Sequence, residues 1–308
     1  MSSTPYEHAG PVVAGIDEGV PHAVVRFAAE EAALRHTDLR LVHAVPLLAP
    51  ADDHVRSPES TAHGAAVVEG VEELVHLQYP DVTVTGELPV GHPVGTLVEL
   101  SEEAALLVLG HRGGGFPRLH TGSVSRQVVT HAHCPVVVVD PERAATAHRP
   151  HGPVVIGVDV DDVCDEALDL GYAEADRRGV PVDLVYADDV RLLSPGPVGV
   201  VPPVFGLLPP GPVEPLPEAD ADHDAASGIL NREASRFAGR YPQVRADAHV
   251  VPGRPADVLV EWGRGATVLV VGSRGLTGLR RLLLGSVGAE VLQTARCPVA
   301  VVPAPAQE

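Results

Sequence analysis

The chain has 308 residues, and its 22 basic residues, all arginine, are outnumbered by 41 acidic ones, for a formal net charge of −19. This length predicts two domains, and a hydrophobic content of 45% is typical of a globular protein. An acidic chain lacks the cation clusters that hold nucleic-acid backbones or anionic lipid. The absence of lysine excludes a Walker-A phosphate loop and Schiff-base catalysis.

Membrane and secretion signals are not found in the sequence. No apolar run approaches the roughly 18 residues of a membrane helix, and the first ten residues have no cationic region before an apolar core. Three cysteines, Cys134, Cys164 and Cys297, cannot all pair within one chain, which favours reduced thiols. We therefore expect a cytoplasmic protein with neither a membrane nor a nucleic-acid partner.

The sequence repeats itself once. VVAGID at 12–17 returns as VVIGVD at 154–159, and LLVLGHRG at 106–113 returns as VLVVGSRG at 268–275. GSV and CPVVVV, which begin at Gly122 and Cys134, return in the same order at Gly285 and Cys297. Collinear matches of this kind predict a tandem duplication, with a first domain at 1–142, a linker at 143–152 and a second domain at 153–308.

Strands and helices alternate in each repeat. In the first repeat, strands are predicted near 12–16, 39–45, 82–87, 105–109 and 135–139. In the second repeat, the expected order is strand 154–159, helix 165–178, strand 182–187, helix 221–239, strand 244–250, helix 255–263, strand 267–271, helix 286–295 and strand 298–302. This order predicts an α/β fold of two tandem doubly wound domains, each with a five-stranded parallel sheet.

The second repeat carries a proline- and glycine-rich insertion at about 193–218. Such a composition cannot sustain regular helix or sheet hydrogen bonding, so the segment is predicted to be a long loop with polyproline character. A tolerated surface insertion is the favoured interpretation. A segment that docks a protein partner is the alternative.

Glycines cluster where predicted strands end, which is where doubly wound sheets bind ligands. Gly272-Ser-Arg-Gly275 follows a predicted strand directly, and Gly285-Ser286 opens a predicted helix. Glycine permits close backbone approach, and the start of a helix offers unpaired N–H groups that suit phosphate. The spacing therefore predicts an anion site, to which Ser286 adds a hydroxyl and Arg274 a positive charge.

The pattern G-x2-G-x9-G-S after the fourth strand, the aspartate that follows the first strand and the CPV before the last strand resemble the universal stress protein family. The resemblance covers nearly the whole chain and suggests the tandem form. It implies a Rossmann-like fold related to adenine nucleotide alpha hydrolases, and ATP binding with or without Mg²⁺. It also implies antiparallel pairing of the strands at 135–139 and 298–302 and a homodimer of the two-domain chain.

The resemblance also implies a set of site residues in each repeat. In the second repeat, the ribose and adenine contacts are Gly157, Asp159, Ala187 and Val271, and the phosphate contacts are Gly272, Arg274, Gly275, Gly285, Ser286 and Val287. In the first repeat, the corresponding residues are Gly15, Asp17, Ala44 and Leu109, with Gly110, Arg112, Gly113, Gly122, Ser123, Val124 and Ser125. The glycine spacing of the first repeat is one residue shorter, and Gly288 replaces Ser125 in the second, so the two sites are not expected to be equivalent.

Possible metal ligands were weighed against plainer interpretations. His131, His133 and Cys134 have zinc-ligand chemistry, but Thr294 and Arg296 replace both histidines in the second repeat, which disfavours a metal. Pairs of aspartates at 161–162 and 188–189 suit Mg²⁺, although solvated loop charge is the favoured interpretation. At the end of the second strand, His43 and its counterpart Tyr186 are expected to line a pocket. For Cys164, at a predicted helix start, a redox role is the less favoured alternative.

Together these features predict an ATP-binding regulatory protein of stress adaptation that responds to nucleotide. Neither a nucleophile-elbow motif in a hydrolase context nor a kinase-type catalytic loop is found, so no catalytic residue is predicted. Two alternatives stay open: slow ATP hydrolysis by the same fold, and a scaffold without nucleotide that signals through its proline-rich loop.

Overall fold

A computed structural model describes residues 9–17, 19, 22–45, 58–111, 123–140, 151–189, 217–273 and 284–303. The first half contains β1 (Val12–Gly15), α1 (His22–Arg35), β2 (Leu39–Val42), α2 (Pro58–Gln78), β3 (Val84–Glu87), α3 (Pro93–Leu100), β4 (Leu106–Gly110), α4 (Ser123–His131) and β5 (Val136–Val139). The second half contains β6 (Val154–Gly157), α5 (Asp165–Arg178), β7 (Val182–Asp188), α6 (Pro217–Ala238), β8 (Ala246–Pro252), α7 (Pro255–Trp262), β9 (Val268–Gly272), α8 (Ser286–Thr294) and β10 (Val299–Val302). The predicted α/β alternation is confirmed.

In the described part of the chain, ten strands form one sheet, in the order β3-β2-β1-β4-β5-β10-β9-β6-β7-β8. Strands within each half are parallel, whereas β5 and β10 run antiparallel, with Val138 opposite Val299 and Val136 opposite Val301. The expected antiparallel pairing of the last strands is therefore confirmed. In each half the chain direction across the sheet reverses beside its first strand, which puts a switch point between β1 and β4 and another between β6 and β9.

Helices cover both faces of the sheet because alternate residues of its valine-rich strands point to opposite sides. On one face, Val12 and Leu39 pack among residues of α1, α2, α5 and α6. On the other face, Val13 and Val42 pack among residues of α3, α4, α7 and α8. Among the described residues, no helix is long and apolar enough to cross a membrane.

Element boundaries in the second half mostly follow the sequence. Helix α5 spans the predicted residues and ends at Gly179, whose φ of 64° is left-handed, as glycine allows. Helix α6 begins at Pro217 rather than at 221, because proline is compatible with a first helical turn, so the last two residues of the predicted loop are helical. Strand β8 begins at Ala246 rather than at 244, because a turn in which Val244 N–H donates to Tyr241 O precedes it. The rest of the insertion, 193–216, lies outside the described residues.

Candidate functional site

In each half, an aspartate two residues after the first strand forms the same local turn. The Asp17 Oδ1 atom accepts a hydrogen bond from the Gly19 amide at 3.3 Å, and Asp159 Oδ1 accepts one from the Asp161 amide at 3.1 Å. Side-chain turns of this type hold the carboxylate close to the backbone. Both carboxylates consequently lie at the carboxyl end of the sheet, next to a switch point.

In each half, the glycine two residues before the aspartate has no side chain, which leaves room for apolar side chains to pack against the end of the strand. A Cβ atom on Gly157 would lie 2.9 Å from Leu259 Cδ1 and 3.4 Å from Val271 Cγ1, and one on Gly15 would lie 2.7 Å from Leu109 Cδ2. Val271 and Leu109, the predicted adenine neighbours, are 5% and 4% exposed. They form an apolar floor under the strand ends. Of the other two predicted adenine neighbours, Ala187 is buried and Ala44 is half-buried.

The glycine-rich end of β9 meets the start of α8. The Gly285 amide donates to Ser273 O at 3.3 Å, so the chain returns to the end of β9 before the helix begins. Gly285 is the N-cap of α8, and none of the described side chains caps the first turn. The structure thereby brings together Gly272, Gly285, Ser286 and Val287. Amide groups of an uncapped helix start suit an anion.

The first half has the same framework, with Gly110 at the end of β4 and Ser123, Val124 and Ser125 in the first turn of α4. The remaining predicted phosphate contacts of both halves lie outside the described residues: Arg112, Gly113, Gly122, Arg274 and Gly275. For these residues the sequence alone supplies the prediction.

Of three buried polar residues in the first half, Ser125 is a predicted site residue, whereas His111 and Asp140 were missed by the reasoning from sequence. His111, Ser125 and Asp140 are 6%, 7% and 8% exposed. The His111 amide donates to Val139 O at 2.9 Å, which places His111 beside Asp140 at the ends of β4 and β5. The second half has Ser273, Gly288 and Pro303 at these positions, so a comparison of the repeats could have singled them out. His111 and Ser125 also line a depression that reaches Leu284 and Gln293 of the second half.

Several carboxylates surround Tyr186 at the carboxyl end of the second half. Burial raises the pKa of Tyr186, and the carboxylates of Asp188, Asp161, Asp159 and Asp222 raise it further. Burial also raises the pKa of Asp159, and the charges of its neighbours at 161 and 162 act in the same direction. This electrostatic environment disfavours additional negative charge near the Tyr186 hydroxyl.

In the first half, His43 occupies the position that Tyr186 has in the second half. Its Nδ1 atom lies 3.1 Å from Ile16 O, and because a carbonyl only accepts, Nδ1 carries the proton. In the neutral imidazole, Nε2 is therefore a hydrogen-bond acceptor. The two halves consequently offer different polar groups at the same strand end, a tyrosine hydroxyl in one and an imidazole nitrogen in the other.

The candidate metal and thiol groups do not converge in the part of the chain that the structure describes. There, no group of three or more histidine, cysteine, aspartate and glutamate side chains is arranged to hold a metal ion. Burial raises the pKa of the Cys134 and Cys297 thiols to about 12. Cys164 is half-buried at the N-cap of α5, with Sγ 3.5 Å from Glu166 Oε2.

Comparison with known proteins decides the family. The model of the universal stress protein family matches residues 10–140 and 151–303. The chain belongs to the universal stress protein family. Universal stress protein Rv2623 of Mycobacterium tuberculosis is 33% identical over 300 residues, which covers 94% of this chain and 95% of that protein.

One solved structure of the family has the same fold over its whole length. A universal stress protein from Archaeoglobus fulgidus superposes with a TM-score of 0.68 at 17% identity and covers 99% of each chain. Another universal stress protein from Archaeoglobus fulgidus, solved in complex with dAMP, is 26% identical and covers 42% of this chain and 98% of that chain, with a TM-score of 0.35. The dAMP is a ligand of that second protein.

Proposed function

We propose that this universal stress protein binds ATP, with or without Mg²⁺, at the carboxyl end of the sheet in each half. One observation carries the proposal: the hydrogen bond from Gly285 N–H to Ser273 O joins the glycine-rich end of β9 to the uncapped start of α8. Strands β6 and β9 are paired, so Asp159, just after β6, lies at the neighbouring strand end. The arrangement suits a ligand with hydroxyl groups at one end and phosphates at the other.

Each part of the site has a separate role in this proposal. The Asp159 carboxylate accepts hydrogen bonds from ribose hydroxyls, while the main-chain amides at Ser286 and Val287 donate to phosphate oxygens. Asp17 and the start of α4 have the same roles in the first half. Bound ATP contacts the glycine-rich segments and thereby shifts the protein towards a conformation whose surface regulatory partners recognise.

A reducing compartment agrees with this role. The three cysteines, Cys134, Cys164 and Cys297, form no disulfide in the structure, and two of them are buried. Proteins of oxidising compartments usually pair their cysteines. We therefore place the proposed nucleotide-responsive protein in the cytoplasm.

Isothermal titration with ATP tests the proposal. The wild-type chain is expected to bind two ATP molecules, and Gly285→Val to bind one, because a branched side chain at the N-cap obstructs the phosphates of the second half alone. Gly275→Val/Gly285→Val is expected to behave in the same way. The matched control is Gly70→Ala in α2, where a Cβ would have no atom within 4 Å and binding is expected to be unchanged.

The titration is interpreted together with circular dichroism, which checks that each variant keeps its helices. If the folded double variant binds ATP with wild-type stoichiometry and affinity, the assignment of the phosphate site is wrong. If the wild-type chain binds no adenine nucleotide, the proposed function is wrong as a whole.

A further inference from the structure

A buried cluster of four charged side chains joins the two halves on one face of the sheet. Helices α1 and α5 are in contact there, and the cluster consists of Glu31 and Arg35 from α1 and Glu174 and Arg178 from α5. We call these four residues the quartet. Arg35 forms an ion pair with Glu174, and Arg178 forms one with Glu31, so both of these pairs link one half to the other.

Each glutamate of the quartet also contacts the arginine of its own helix. Arg35 Nε lies 3.0 Å from Glu31 Oε2, and Arg178 Nε lies 3.5 Å from Glu174 Oε2. Glu31 therefore has one arginine partner within its half and one across the boundary, whereas Glu174 has Arg35 across the boundary and both Arg178 and Arg177 within its half. Replacing a charge in one half consequently affects the other half directly.

The quartet has the symmetry of the duplication. In each helix a glutamate is followed four residues later by an arginine, and 143 residues separate Glu31 from Glu174 and Arg35 from Arg178. Strands β5 and β10 obey the same symmetry, because Val136 pairs with Val301 and Val138 with Val299. An interface of this kind is self-complementary: either half presents the pattern that the other half needs.

The apolar part of this interface cannot by itself discriminate between partners. Strands β5 and β10 read VVVV and VAVV, and hydrophobic contact between such strands is non-directional. The quartet differs, because Glu31 and Glu174 are only 1% and 4% exposed and an unpaired charge at such depth is strongly destabilising. The two halves therefore pack stably only when opposite charges face each other at the quartet.

The ionisation of Glu174 is consistent with this reasoning. Burial alone raises the pKa of a carboxyl group, but the guanidinium groups of Arg35, Arg178 and Arg177 outweigh it and hold the pKa of Glu174 below its ordinary value. The carboxylate is thus charged at neutral pH. Its ion pair with Arg35 across the boundary is therefore present at neutral pH, whereas burial and the charge of Glu174 raise the pKa of Glu31.

We infer that the quartet is the recognition element of a self-complementary docking surface, and that this surface accepts any half of this chain presenting glutamate and arginine in the same order. In the intact chain, the occupant is the other half. When the charges of the two halves no longer match, the occupant is the identical half of a second copy. This inference does not depend on nucleotide binding.

Charge reversal in one half tests the inference. Glu31→Arg/Arg35→Glu keeps an ion pair within α1 but places like charges opposite both Glu174 and Arg178. Two reversed first halves still match each other, so light scattering is expected to give at least twice the mass of the wild-type assembly. Reversing the second half as well, with Glu174→Arg/Arg178→Glu, restores the match once Arg177, which also pairs with Glu174, is replaced by the leucine found at the equivalent position 34. The variant Glu174→Arg/Arg177→Leu/Arg178→Glu in the reversed chain is therefore expected to restore the wild-type mass.

An exposed ion pair of the same residue types provides the control. Glu261 and Arg264 lie 3.1 Å apart, with side chains 65% and 53% exposed, so Glu261→Arg/Arg264→Glu is expected to leave the mass unchanged. A half-reversed chain that aggregates while the fully reversed chain recovers also supports the inference, because only charge matching explains the recovery. Either a half-reversed chain with wild-type mass and unfolding midpoint or a fully reversed chain that fails to recover overturns it.

Discussion

The contact between α5 and β6 gives a sharp test of how tightly the sheet and its helices pack. Gly171 lies in the middle of α5, and a Cβ atom there would be 2.3 Å from Cδ1 and 2.6 Å from Cγ1 of Ile156. Ile156 is fully buried, so its side chain has no free space to enter. Gly171→Ala consequently forces either the helix or the isoleucine out of position.

The expected magnitude follows from two opposing effects. Alanine is favoured over glycine within a helix by about 0.5–1 kcal/mol. Overpacking a dense core costs about 1–3 kcal/mol. We therefore expect Gly171→Ala to lower the free energy of unfolding by about 1 kcal/mol, the middle of the range that the two effects allow. Gly228→Ala in α6, where a Cβ would have no atom within 4 Å, should raise it by about 0.5–1 kcal/mol.

Urea unfolding monitored by tryptophan fluorescence measures both effects in the same half. The only tryptophan of the chain, Trp262, ends α7, and both glycines belong to this half as well. The double variant Gly171→Ala/Ile156→Val removes one of the two clashing atoms and should recover part of the loss. Equal increases in midpoint for Gly171→Ala and Gly228→Ala would refute the close packing of α5 on β6.

Two further predictions concern ionisable groups. Because burial raises the pKa of Cys134 and Cys297 to about 12, a thiol reagent at pH 8 should modify Cys164 first in the native protein and reach the other two only on unfolding; equal rates for all three thiols would contradict their burial. The pKa of Glu174 is lowered in the folded state, so its contribution to stability is present above the ordinary value of 4.5 and is lost as the pH falls through the lower folded value. At pH 7, Glu174→Gln is therefore expected to lower the free energy of unfolding by about 3–5 kcal/mol. In urea titrations below about pH 4, the difference in this free energy between the variant and the wild type should narrow. A difference that widens would show that the arginines do not stabilise the carboxylate.

The fold could be predicted from the sequence to a large extent because its signals are local. Short runs of β-branched residues such as VVIG mark strands that are buried on both faces, and helices end at residues such as Gly179. The antiparallel pairing of β5 with β10 came instead from the family resemblance, since a strand carries no local mark of its distant partner. The start of α6 was misplaced because its first residues belong to a stretch rich in proline.

The quartet, His111 and Asp140 were not foreseen, for a related reason. The ion pairs of the quartet that cross the boundary, such as the pair of Arg35 with Glu174, join residues far apart in the chain. The helical periodicity of either helix does not reveal them. The repeat did contain a signal, because Glu31 and Glu174 occupy equivalent positions. For His111, the signal was a difference between the repeats rather than an identity, because serine stands at the equivalent position of the second half.

The most direct test of the central claim is native mass spectrometry of the gently purified chain. After incubation with ATP, we expect a species heavier than the 32.1 kDa chain by two adenine nucleotides, and by one in Gly285→Val. A spectrum that shows only the bare chain, both as purified and after incubation with ATP, would contradict nucleotide binding at either half.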